Sequence, residues 1–341
     1  MRPLSSTARR GSIMLAARRP SDLALLVAIA LAAAASGCGA PAPPIISAPS
    51  AISQSVTMAP DSLPTRALIT FDSANQELAY FKISRKGSEA LLPLSHSLGL
   101  TSVYALAADG NVVIASNYSP AEVVTYDLKT RVQKKLSDPY GGPLDVAVGK
   151  SGTIYALNPG SVAVFKPSSS PSELRCSQID TGEAIAVNNE GDVFVDGYGQ
   201  QFQGVVEYPN GSTKCIVPHL RASRGYIAGV GVDPKTDDLI VVDDPDLCAG
   251  GLEGRMVIYP RPYEQRTSVR RVLATTYCAG IFRLDAGSTH IFYSDATVSA
   301  GEPIIDQARY PSGQYEGQYW QGYFGSGAFT GFTTIPNQLP N

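Results

Sequence analysis

A unit of strand, turn and two further strands recurs four to five times between Tyr104 and Asp295, with a period of 40 to 50 residues. The clearest copies read LAADGNVVIAS, VAVGKSGTIYAL and IAVNNEGDVFVDG, and looser ones read VGVDPKTDDLIVVDD and FRLDAGSTHIFYSD. Each joins a short apolar strand with a small residue in its middle to a Gly- or Asp-containing turn, then to a β-branched and aromatic strand. A long period built of strands admits few folds: it predicts a radial or stacked β architecture.

The small residues set the phase. Ala105, Ala147, Ala186 and Gly231 are spaced 42, 39 and 45 apart; Arg283 stands at the equivalent place 52 further on, and an apolar strand near Gly331 lies 48 beyond that. In a β-propeller the first strand of each blade faces the crowded axis, where a bulky side chain has little room. Second strands are expected at Asn111–Ala115, Thr153–Leu157, Asp192–Asp196, Leu239–Asp243 and His290–Ser294, all rich in Val, Ile, Phe and Tyr as inter-blade strands should be. Weaker outer strands are expected at Val132–Leu136, Ser172–Gln178, Thr213–Val217 and Ser268–Ala274. Ala67–Phe71 and Leu78–Ile83 read as a second and third strand with no first strand ahead of them, and Phe329–Ile335 as a first strand with nothing after it. Joined, they would complete one blade and remove the exposed edges of an open sheet. The expectation is an all-β fold: a six-bladed β-propeller over residues 65–336, closed by strands from both ends, with a tail at 337–341.

GPLDVAVGKSGTIYAL with SVAVFKP, and EAIAVNNEGDVFVDG with GVVEYPNG, resemble the NHL repeat. That resemblance implies propeller blades and no particular chemistry.

The N-terminus reads as an export signal. Arg2, Arg9, Arg10, Arg18 and Arg19 precede an apolar run from Leu23 to Ala35, too short for a comfortable transmembrane helix. Ala35-Ser36-Gly37-Cys38 follows and resembles the bacterial lipobox, which implies lipidation of Cys38; the start is Met1 or Met14. An ordinary signal peptide with a Cys at its cut site is the alternative. Residues 38–64 are rich in Ala, Pro and Ser and read as a tether. Loss of residues 1–37 would leave 22 basic against 29 acidic groups. An acidic exported domain without a basic stripe is a poor nucleic-acid binder. The implied location is the cell envelope, at the outer membrane of a Gram-negative host.

Four further cysteines, Cys176, Cys215, Cys248 and Cys278, can pair in three ways. Cys248 and Cys278 fall in loops of one face and are the preferred pair. Cys176 and Cys215 fall on outer strands of adjacent blades, which splay, and are expected to lie too far apart.

Loops joining second to third strands, and outer strands to the next inner strand, share one face, where propellers commonly bind ligands. Asn117, Tyr118, Asn158, Asp196, Tyr198, Asp243 and Asp295 fall there. Asp196, Asp243 and Asp295 read as equivalent positions in three blades; such a ring could hold a cation such as Ca²⁺, or the residues could simply cap turns. Asp145, Glu183 and Arg283 fall on inner strands. Arg283 breaks the repeat's own rule of small residues, as a ligand-binding group or as an ion-pair partner for Glu183 or Asp145. His219, in a loop of the same face, is the plausible acid or base among three histidines, the others being His96 and His290. The Tyr-, Trp- and Gly-rich stretch from Tyr310 to Phe329 offers either stacking surfaces or an outer strand packed between blades. GxSxG, HExxH, P-loop and CxxC motifs are absent from the sequence.

These features point to a lipid-anchored propeller that binds or scaffolds a protein, small-molecule or carbohydrate ligand, as a monomer touching the membrane through its lipid alone. The alternatives are a metal-dependent lactonase- or lyase-type enzyme using channel-facing acids, and an assembly component of envelope complexes.

Overall fold

A computed structural model of the chain describes residues 66–73, 75–83, 92–218, 220, 226–244, 254–263, 271–276, 282–295, 304–320 and 331–335. All of them belong to one compact unit, Val56–Asn341. Cys38, His219, Cys248 and Cys278 lie outside the described residues, as do the signal, tether and tail segments.

Alternation of apolar residues with turns at Gly, Asp and Asn makes short antiparallel strands, and the described residues are all-β apart from a 3-10 turn at Pro209–Gly211. β1 (Ala67–Asp72), β2 (Glu77–Lys82) and β3 (Leu92–Pro93) come first. β4 (Val103–Asp109), β5 (Val112–Asn117), β6 (Glu122–Asp127) and β7 (Gln133–Ser137) form a meander sheet, as do β8 (Asp145–Val148), β9 (Ile154–Asn158), β10 (Ser161–Phe165) and β11 (Ser172–Leu174). β12 (Thr181–Val187), β13 (Val193–Tyr198) and β14 (Gln203–Tyr208) form a three-stranded sheet. β15 (Tyr226–Val232), β16 (Leu239–Asp244), β17 (Gly254–Tyr259) and β18 (Arg271–Thr276) follow, then β19 (Phe282–Leu284), β20 (His290–Asp295), β21 (Ile304–Arg309) and β22 (Gln314–Trp320). The last strand, β23 (Phe332–Ile335), returns to pair with β1, so the first sheet reads β23-β1-β2-β3.

The core lies between sheets. Tyr155, Leu157 and Val164 of one sheet pack with Val193, Val195 and Val206 of the next. Phe194 and Val205 pack with Leu239, Val241 and Tyr259. Another cluster joins the last sheet to the first through Leu68, Phe81, Phe292, Ile305, Tyr319 and Phe332. Burying each such ring contributes about 2 kcal/mol or more. The innermost strands β23, β4, β8, β12, β15 and β19 touch in that order, and β19 touches β23 again. At the edge where inner strands turn into second strands, polar contacts tie neighbouring sheets: Asn189 to Asp237, Ser288 to Asp233, and Arg66 to Asp285.

Three expectations need correction. The disulfide joins Cys176 to Cys215, with 5.8 Å between Cα atoms, and not two residues held apart by splaying. The expected outer strand at 213–217 reduces to one bridge, Glu207 to Ile216. The sheet has three named strands, and Cys215 packs against the cluster that holds Leu174, Cys176 and Tyr208. In the first clear copy the residue facing the axis is Ala107, paired with Ile114 as Ala186 is with Phe194; Ala105 packs between sheets. A register shift between Val103 and Leu106 hides this phase among the alanines of VYALAAD. The 310–329 stretch enters the fold as the outer strand β22, with Tyr319 buried and Tyr315 exposed; 321–330 lie outside the described residues.

Candidate functional site

Inner strands run from an upper mouth, where second strands turn into third strands, to a lower mouth, where first strands turn into second strands. Small side chains along them leave an open cavity of about 160 Å³, lined by Ala107, Ala147, Ala186, Gly231 and Thr333, with Arg283 among them. Arg283 crosses this space. On β19 it is three places from β8 in either direction round the sequence of touching inner strands. Its Nη2 donates to Asp145 Oδ1 at 2.9 Å, its Nη1 to the Phe282 carbonyl at 3.0 Å, and its Nε and Nη2 to the Leu106 carbonyl at 3.4 and 3.3 Å. Of the two partners that the sequence left open, the structure pairs Arg283 with Asp145.

Asp145 is a junction as well as an anion. Its Oδ1 accepts the Val146 N–H at 2.8 Å and its Oδ2 the Ile185 N–H of the next inner strand at 3.0 Å. One buried carboxylate therefore ties β8, β12 and β19 together.

Two more acids stand above it. Glu183 is the extra residue of a register shift between Gly182 and Ala184 on β12, and such bulges re-aim a side chain near the rim of a sheet. Burial raises its pKa from the ordinary 4.5 to about 7. Asp196 is fully buried; its Oδ1 accepts the Ala184 N–H at 2.5 Å, and among the described residues its Oδ2 has no hydrogen-bond partner. Burial, then repulsion from Glu183 and Asp145, holds its carboxyl well above the usual carboxylate range. The structure thus brings Asp145, Glu183, Asp196 and Arg283 to one end of the channel.

It does not bring the others there as a ring of acids. Asp243 pairs in register with Arg255, as Asn117 does with Glu122, Asn158 with Ser161 and Gly197 with Gly204. Asp196 sits one residue earlier, which turns it to the opposite face of its strand. Gly197 holds the equivalent place because a Cβ there would meet the Thr181 carbonyl at 2.2 Å. The equivalent side chains do structural work: Asp243 Oδ2 accepts from Arg255 Nε and Nη2 at 3.0 and 2.7 Å, and Asn117 donates to Glu122 at 2.9 Å. Asp295 ends β20, and its side chain lies outside the described residues. Among the described residues no group of three His, Cys, Asp or Glu is placed to hold a metal ion. His290 belongs to a framework network with Asp285, Thr289 and Glu316, and exposed His96 packs edge-on to Tyr126.

Sequence reasoning missed Tyr104. It follows Val103, which pairs with Asn117, as Glu183 follows Gly182, which pairs with Gly197. Tyr104 is therefore the counterpart of Glu183 on another inner strand. Its ring lies 5.3 Å from that of Tyr118 at 55°, and both are exposed. The signal was a large aromatic residue beside a small anchor, masked by the two-residue error in phase.

The acids give a pH dependence. Between pH 4.5 and about 7 the folded protein keeps a proton on Glu183 that the unfolded chain has released. Stability conferred by this group is therefore full at the low end of that window and falls as pH rises through it. The thermal midpoint should drop from pH 5 to pH 8, and Glu183→Gln should flatten that slope. An unchanged slope in the variant would show that Glu183 titrates normally.

No protein-family profile matches this chain, and no curated protein does. Solved structures do. A chain from the nidogen–laminin complex aligns over 80% of this chain and 100% of its own length, with a TM-score of 0.62 at 13% identity. Virginiamycin B lyase from Staphylococcus aureus aligns over 78% of this chain and 88% of its own, with a TM-score of 0.51 at 10% identity. The fold is a β-propeller. At such identities the likeness extends to the fold alone.

Proposed function

We propose that this chain is a six-bladed β-propeller, closed by pairing of β23 with β1, that is exported, held to the cell envelope through a lipid on Cys38, and binds a partner at its upper mouth. The ring of touching inner strands and the six inter-sheet clusters support six blades and closure. The small-small-Cys ending after a basic and apolar leader supports the anchor.

One observation carries the binding role. Of the five exposed large hydrophobic side chains among the described residues, Tyr104, Tyr118 and Tyr198 all stand at the upper ends of their sheets. Tyrosine is enriched where surfaces meet, since its ring gives apolar area and its hydroxyl a hydrogen bond. The nidogen–laminin neighbour is a propeller found in a protein complex. The metal-dependent lactonase or lyase reading has Glu183 in its favour, a carboxyl near neutrality as an acid–base group needs to be. Against it stands the Arg283 guanidinium, lying across the channel next to Asp145.

Photo-crosslinking tests the binding face. A photoreactive phenylalanine at position 104 or 118, in cells that express the full chain, should give a discrete adduct. The same group at exposed Val132, on the outer edge, should give none. Adducts at 132 alone, or at none of the three, would remove the upper mouth as the binding face.

A further inference from the structure

Below Arg283 the channel changes character. The cavity of about 160 Å³ reaches from the level of Arg283 down to Pro234, past the lower end of β15, and among the described residues no carboxyl lines it. We infer that this lower chamber is a binding site for a small neutral molecule, largely apolar and bearing one oxygen, about the size of phenol. It is separate from the upper mouth and does not rest on that mouth being the binding face.

Size and walls set the first limit. A cavity of about 150 Å³ with aliphatic and aromatic walls holds one benzene-sized ring. Here Val148, Val187 and Val232 supply aliphatic wall, and the Phe282 ring lies so close to Gly231 that a Cβ there would meet its Cε2 at 2.5 Å. Water finds few partners against such walls, so an apolar body displaces it favourably. Charge sets the second limit. Among the described residues Arg283 is the one charged group on the lining, and Asp145 matches its guanidinium at 2.9 Å. A carboxylate would lose its water without gaining a free counter-charge, and an ammonium would approach a guanidinium. A neutral molecule meets neither cost.

Two polar groups on the lining call for the oxygen. Thr333 is 3% exposed, and its hydroxyl has no hydrogen-bond partner among the described residues. A guanidinium carries five N–H donors. Arg283 uses Nε and one Nη2 hydrogen on the Leu106 carbonyl, the other Nη2 hydrogen on Asp145, and one Nη1 hydrogen on the Phe282 carbonyl. The second Nη1 hydrogen has no partner among the described residues. β23, which carries Thr333, touches β19, which carries Arg283, so both groups stand on neighbouring inner strands of one chamber. A polar group held from water without a partner is a cost that an arriving oxygen relieves. A hydroxyl can accept from the guanidinium and exchange a hydrogen bond with Thr333.

Calorimetric titration of the full chain at neutral pH tests the site, with phenol, toluene, benzoate and benzylammonium as probes. Phenol should bind saturably at submillimolar concentration, and toluene about threefold to tenfold more weakly, the effect of one hydrogen bond. Benzoate and benzylammonium should give no saturable heat. Thr333→Val keeps the side chain's shape and removes its hydroxyl; it should bring phenol towards toluene and leave toluene unchanged. Ala107→Leu and Ala147→Leu, on different inner strands, each fill the chamber and should abolish phenol binding, the unfolding midpoint checking that each variant folds. Phenol binding that survives both filling variants, that benzoate equals, or that Thr333→Val leaves unchanged would overturn the site. No saturable heat at millimolar phenol would overturn it too, and would mean that the chamber holds water alone. The crosslinks at 104 and 118 test the upper mouth independently of all these outcomes.

Discussion

Arg283→Ala should lower the free energy of unfolding by about 3–5 kcal/mol, the loss that follows when one partner of a buried ion pair is removed. Asp145 is 5% exposed and cannot recover water when the guanidinium goes. It also cannot turn away, because its two oxygens hold the N–H groups of Val146 and Ile185. Its charge would then act on buried Asp196 without the guanidinium beside it. In a domain of this size the thermal midpoint should fall by roughly 10 °C. Two companion variants separate charge from packing. Arg283→Met fills much of the volume and should lose nearly as much as alanine. Adding Asp145→Asn to it removes the stranded charge but keeps an acceptor oxygen for only one of the two N–H groups, and should recover part of the loss. If Arg283→Ala costs under about 1 kcal/mol, or if the double variant is worse than Arg283→Met, the pair does not hold the inner strands together.

Much of the architecture was legible because the repeat reports geometry directly. Small residues at Ala147, Ala186 and Gly231 mark the strands that line the channel, and Arg283 stands out among them. β-branched and aromatic runs mark β9, β13, β16 and β20, each within a residue or two of where the structure puts it. What escaped is what a one-residue change in register decides. Asp196 and Asp243 look alike in VFVDG and LIVVDD, yet one is a buried acid beside Ala184 and the other an ion-pair partner of Arg255. The bulges that place Glu183 and Tyr104 at the mouth leave no mark in composition. Nor does a missing strand: the Cys176–Cys215 bridge depends on β14 having a single-bridge neighbour where a full outer strand was expected, a fact of three-dimensional packing that spacing cannot convey.

Gly331→Ala should be among the most damaging single-methyl changes in the protein, costing more than about 4 kcal/mol, in the range reserved for steric conflicts with no escape. Gly331 precedes β23 and has φ +51°, so any other residue carries a strain of roughly 1–2 kcal/mol there. Crowding costs more than this strain. A Cβ at 331 would lie 2.3 Å from Ala105 Cα and 2.6 Å from both Ala105 C and Leu106 N. These are backbone atoms of β4, fixed by pairing with β5 and by the Ser116 hydroxyl, which accepts the Ala105 N–H at 2.8 Å. Neither strand can yield without breaking its own ladder, so β23 would have to leave, uncovering β1 and the cluster of Leu68, Phe81, Phe292 and Phe332. Gly110→Ala is the control: its φ of +57° is as unfavourable, but nothing lies within 4 Å of the added methyl, so it should cost only the strain, roughly 1–2 kcal/mol. Denaturant unfolding gives both values, and amide exchange at Leu68–Thr70, the partners of β23, should accelerate in the first variant and not in the second. Equal losses for the two variants would mean that the approach of β23 to β4 is loose, and that the pairing of the chain's two ends contributes little to holding the sheets together.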